Sequence, residues 1–204
     1  MSKNIRVSWL SGWIAATVYL GLAFPGPRRI LEATLIGHML VQIPLLGLLG
    51  YTIGVLSRTM MREHLLVWDR CGATGLLFLV FISVVWMLPR TVDAALVDYR
   101  YELAKFFGLP VAGVLLAWSY PRVPVIVRGV LLAHVVSAFW VMSWVYLSAP
   151  VRLCNSYVRS DQDAVGASLM VIGLVLPLYL GHRLLFAPFS PRPRDGGAPL
   201  LARS

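Results

Sequence analysis

The chain has 204 residues, a mean hydropathy of +0.75 and only 13% charged side chains. A soluble domain carries about twice that charge, so the composition excludes one, and spans of about 20 residues leave only short loops at this length. The net charge of +9 does not indicate nucleic acid, because Lys and Arg sit at the ends of apolar runs rather than in one basic stripe.

Proline and glycine punctuation divides the apolar sequence into six predicted spans, an all-α transmembrane bundle forming a single domain over residues 1–186. Span 1 covers 7–24 and is ended by Pro25-Gly26-Pro27. Lys3, Arg6, the apolar run that follows and Gly21-Leu22-Ala23, a loose fit to a cleavage site, also resemble a secretory signal; an uncleaved first span is the expectation. Span 2 covers 32–56, and within it His38 and Gln42 stand at i and i+4, one face of a helix. Pro44 frees the Leu40 carbonyl, and Gly50 and Gly54 have the spacing that lets another helix approach closely. Span 3 covers 72–88, stopped by Pro89 and followed by a connector over 91–100. Spans 4, 5 and 6 cover 101–120, 127–147 and 163–186. The tail, 187–204, holds four prolines and two glycines and is expected to be irregular.

Six spans put both termini on one side, together with eleven of the eighteen Lys and Arg residues; seven, Lys105 among them, fall on the other. The positive-inside rule makes the side of the termini cytoplasmic. Cys71 and Cys154 then lie on opposite sides of the membrane, so no disulfide is expected between them. His38 and Met39 lie about two turns below the outer surface, Met87 closes span 3 there, and Met142 and Met170 sit in the outer halves of spans 5 and 6. Cys154 and the run Asp161-Gln162-Asp163 occupy the last outer loop. Thioether, thiolate and imidazole are the donors that suit Cu(I). The alternative is ordinary packing, since methionine is a common adaptable core residue and an intramembrane histidine is often a hydrogen-bonded one. His134 lies nearer the cytoplasmic end than His38, a depth difference that argues against a bis-histidine haem. Trp86, Trp118, Tyr120, Trp144 and Tyr146 read as an interfacial aromatic belt. No hydrolase or phosphate-binding motif occurs, and no catalytic residue is assigned.

Three stretches, GHMLVQ at 37–42, VWMLPRTVDAAL at 85–96 and SDQDAVGASLM at 160–170, together resemble the polytopic CtaG family of cytochrome c oxidase assembly factors. The matching positions are His38, Met39 and Gln42, then Trp86, Leu88, Pro89 and Asp93, then Asp161, Gln162 and Met170. The sequence departs from the family where its other histidines would stand, at Ile43, Met87 and the segment ending in Lys105. The resemblance implies a non-catalytic factor that aids copper insertion into a haem–copper oxidase or related membrane enzyme. Transient Cu(I) would be held near His38, Met39, Met87 and Met170 and passed through Cys154. A structural accessory subunit that has lost metal binding is the second expectation. Its partner-facing surfaces would be the small-residue faces at Gly50/Gly54 and Gly166/Gly173, beside the polar residues Gln42, Asp93, Asp161, Gln162 and Asp163. Either role places the protein among membrane lipid, in a bacterial inner membrane, with a membrane oxidase or other copper-enzyme subunit as partner, the accessory subunit belonging to a respiratory or monooxygenase complex.

Overall fold

The computed structural model describes residues 14–58, 69 and 72–186, with side chains to 182. The first half of span 1, most of the loop with Arg62, His64, Arg70 and Cys71, and the tail from 187 lie outside the described residues.

Everything regular in the described residues is helical. Helix α1, Ile14–Ala23, stops at Phe24, and Pro25 opens α2, Pro25–Glu32. A proline suits that first position because its missing N–H would find no intrahelical partner there anyway. After a break at Ala33-Thr34 the chain enters a π-helical turn, Gly37–Gln42, which runs straight into α3, Ile43–Ser57. The wide turn has a local cause. Pro44 has no N–H and would drive its ring into the Leu40 carbonyl, and widening the preceding turn relieves that clash. The Ile43 N–H accordingly bonds back to the His38 carbonyl, five residues away. His38, Met39 and Gln42 are therefore presented from a π turn rather than the expected α-helix, and all three are buried.

Helix α4, Ala73–Met87, ends where Leu88 turns extended, and Pro89 starts α5, Pro89–Val97, bent from α4 by 75°. The expected connector over 91–100 is thus mostly a helix lying across one end of the bundle. Asp98 caps α6, Tyr99–Ser119, by accepting from the Arg100 N–H at 2.9 Å. A 3-10 turn, Tyr120–Arg122, leads to α7, Val125–Ser148, and an irregular connection leads to α8, Arg159–Phe186. Helix α8 begins four residues before the expected 163, so Asp161, Gln162 and Asp163 belong to its first two turns rather than to a loop.

Four helices among the described residues are long and apolar enough to cross a membrane: Gly37–Ser57, Tyr99–Arg122, Val125–Ser148 and Arg159–His182; the bent α4–α5 pair would make five. Their outer faces carry large apolar side chains such as Leu77, Phe81, Ile126 and Trp144, as lipid contact requires.

The small residues are consumed inside the molecule. Gly50 and Gly113 let α3 and α6 touch backbone to backbone: a Cβ on Gly50 would overlap the Pro110 backbone, and one on Gly54 would lie 2.7 Å from the Ala117 Cβ. Across the second hairpin the Ser143 hydroxyl donates to the Gly166 carbonyl at 2.7 Å, and the Trp140 indole N–H to the Gly173 carbonyl at 3.2 Å. The small-residue faces expected to meet a partner are therefore internal seams, filled by α6 and α7. Two members of the expected aromatic belt, Trp86 and Tyr146, are likewise core residues. Replacing Gly50 by Leu is expected to cost about 3 kcal/mol or more through overpacking. Gly47→Ala, where an added Cβ meets nothing within 4 Å, should be tolerated, and thermal unfolding in detergent compares the two.

Candidate functional site

The most polar part of the interior is built around Lys105, whose side chain is fully buried on α6. A buried ammonium must satisfy all three donors, and it does so with Glu32 Oε1 at 2.6 Å, Gln42 Oε1 at 2.9 Å and His38 Nε2 at 3.1 Å. Because His38 Nε2 accepts from Lys105, the imidazole is neutral with its proton on Nδ1, which donates to the Tyr157 hydroxyl at 2.9 Å. Tyr157 in turn donates to the Glu32 backbone carbonyl at 3.0 Å, and the Gln42 amide donates to Glu32 Oε1 at 3.2 Å. Arg28 closes the outer side by bonding Glu102 and lying 3.5 Å from Glu32. Two cations and two carboxylates cancel, so the cluster brings no net charge into the bundle. Its members come from α2, the π turn, α6 and the α7–α8 connection.

That connection is held by the other two sequence motifs. Asp93 on α5 accepts from the backbone N–H groups of Ser156 and Asn155 at 2.9 and 3.1 Å. Gln162 on α8 accepts from the Leu153 N–H at 2.9 Å and donates to the Cys154 carbonyl at 3.2 Å. The connection thereby delivers Tyr157 to His38 and buries Cys154, whose thiol donates to the Pro89 carbonyl at 3.6 Å. Burial pushes the Cys154 thiol up to about 11 and the Tyr157 phenol above its ordinary range. So 37–42, 85–96 and 160–170, remote in sequence, are knitted together at one end of the bundle.

The expected soft donors divide. Both nitrogens of His38 are occupied, and the Met39 sulfur accepts from the Tyr146 hydroxyl at 3.2 Å. Met170 on α8 is 40% exposed on the outer surface of the bundle and is remote from the role assigned to it. Met39, Met87 and Met142 do come together, on the wall of an apolar cavity of about 470 Å³ between α3, α4 and α6 on one side and α7 and α8 on the other. Cys154 packs in the same buried cluster as Met39 and Met142. No group of three His, Cys, Asp or Glu residues that could hold a metal occurs among the described residues. Asp163 forms an exposed pair with Arg159 at 3.2 Å, which contributes little, and Asp161 sits in the first turn of α8, where a carboxylate suits the helix dipole.

Sequence reasoning assigned Lys105 to the outer surface and passed over Glu32 and Tyr157. One signal was present: a lysine inside an apolar helix, one turn after Glu102, must find a partner of opposite charge.

Lys105→Met should destabilise the fold by about 3–5 kcal/mol, because it strands the Glu32 carboxylate in the bundle. Adding Glu32→Gln should restore part of the loss, measured by thermal unfolding in detergent. Cys154, a buried thiol rather than a thiolate at neutral pH, should resist maleimide at pH 8 in the native protein and react on unfolding, followed by mass spectrometry. In the comparisons with known proteins, no family model, no curated protein sequence and no solved structure matches this chain.

Proposed function

We propose that this protein is a non-catalytic accessory or assembly component of a membrane oxidase or related copper enzyme, a six-span bundle in a bacterial inner membrane with both termini cytoplasmic. The observation that carries the proposal is the meeting of the three CtaG-like segments at one end of the bundle. Asp93 and Gln162 fasten the connection that presents Tyr157 to His38. Motif residues that scaffold a common surface are what a partner-docking end requires. The helix directions support the topology: α1, α4 and α7 run toward this end and α3, α6 and α8 away from it, and eleven of eighteen basic residues fall on the side of the termini.

Between the two roles, the saturated imidazole of His38 favours the accessory subunit. A ligand whose nitrogens already bond Lys105 and Tyr157 has no lone pair to offer a metal without breaking the cluster. A copper-handling role has one supporting observation, the three thioethers of Met39, Met87 and Met142 on one cavity wall. On that reading copper would pass along methionines, with His38 and Met170 playing no part.

Native-gel migration of membrane extracts tests the partner: stable, stoichiometric comigration with an oxidase is expected of the accessory subunit and transient, cross-linkable association of the assembly factor, and solitary migration both with and without cross-linking would overturn the proposal. Titration with Cu(I) under reducing conditions separates the roles. The accessory reading expects no tight site, whereas one equivalent of Cu(I) lost in Met87→Leu and kept in His38→Ala would establish the thioether route.

A further inference from the structure

Beside the 470 Å³ cavity lies a second pocket of about 300 Å³ between α4 and α7, open to the outer face along Val84, Leu88 and Val141; Met87 and Met142 line both, so the two spaces abut. The larger is walled almost entirely by apolar side chains, Trp86 among them. It is about three times the volume of the dry, roughly 150 Å³ cavity known to take up benzene. The smaller contains His134, whose Nε2 is buried and has no hydrogen-bond partner among the described residues. An orphaned imidazole nitrogen beside an apolar void is costly unless something supplies its partner.

Depth narrows what that something is. His134 stands nine residues after Val125 and fourteen before Ser148, hence about 13 Å and 21 Å from the ends of α7. Centred on a hydrocarbon core of about 30 Å, the helix holds His134 about 10 Å inside. The ester oxygens of a glycerolipid belong at the edge of that core and would have to sink to reach it. A molecule whose polar atoms are only the two oxygens of a quinone or quinol ring, on an otherwise hydrocarbon frame, reaches this depth at less cost.

We propose that the two cavities form one binding site for a quinone or quinol with a hydrocarbon tail. The tail fills the space beside Trp86, and a ring oxygen hydrogen-bonds His134 Nε2. No redox step is assigned; the ligand is held, as a structural or carried molecule. The inference is independent of the accessory role, because it does not use the Lys105 cluster; it fills the same cavity whose Met39, Met87 and Met142 wall the copper reading would use.

The test uses the full chain in phosphatidylcholine nanodiscs, with decyl-benzoquinone as the probe. The Trp86 quench is read as the difference between the wild type and Trp86→Phe. Saturable quenching at one probe per chain is expected, weakened about tenfold in His134→Leu by loss of the one polar contact. Gly47→Leu, which grows from an open position in the cavity wall, should abolish it without disturbing the fold. Non-saturable quenching, or unchanged affinity in either variant, would overturn the proposal. So would a native mass spectrum showing a bound phospholipid that the probe does not displace. If His134→Leu does not fold, Gly47→Leu alone decides.

Discussion

A buried ammonium group near one end of an apolar bundle sets the terms for everything around it. Lys105 has three protons to place and no water to receive them, so three acceptors must be brought to one point from different parts of the chain. Glu32 comes from the short helix before the first long span, and His38 and Gln42 come from the π turn. Their i, i+4 spacing keeps both of the latter on one side, within the widened turn that Pro44 imposes. The second nitrogen of His38 then needs its own partner, which draws Tyr157 in from the far connection, and Tyr157 closes the circuit on the Glu32 backbone. Each bond is a consequence of the one before it.

The same logic separates the two halves of the molecule by their chemistry. The pairing of α3 with α6 relies on backbone contact at Gly50 and Gly113, where van der Waals packing and the Lys105 cluster act on one interface. The α7–α8 hairpin has its own seam at Gly166 and Gly173, and it joins the rest through the connection that Asp93 and Gln162 hold. Between these two well-packed parts lies the apolar cavity. A hairpin tied to its neighbours mainly at one end leaves space further along its length, and that space runs alongside the unpartnered nitrogen of His134.

The buried cluster also changes the meaning of the motif residues. His38, Asp93 and Gln162 carry polar atoms of the kind that bind metals or substrates, yet each is committed to another part of the chain. Their bonds join the segments that meet at one end of the bundle. The desolvation of four charged groups offsets much of their mutual attraction, so a charge-neutral network of this sort adds little net stability over an apolar core of similar volume.

What the sequence determined by itself is the class of the protein. Apolar runs bounded by prolines define helices whose ends agree with those found to within a few residues, because hydropathy and proline chemistry are local properties. The close approach at Gly50 and Gly54 was legible too, as spacing, though the helix that takes it turned out to be α6 of the same chain rather than a partner. Only the tertiary structure decided which polar residues meet. A sequence places Lys105 seven residues beyond an aspartate cap and says nothing of the carboxylate seventy-three residues earlier that neutralises it. It shows His38 and several methionines at similar depths, but depth is one coordinate, and rotation about each helix axis sends Met87 and Met142 to one cavity and Met170 to the outer surface. The lateral α5 helix was hidden for a related reason: the 75° bend comes from one extended residue, Leu88, ahead of a proline that reads equally well as a stop.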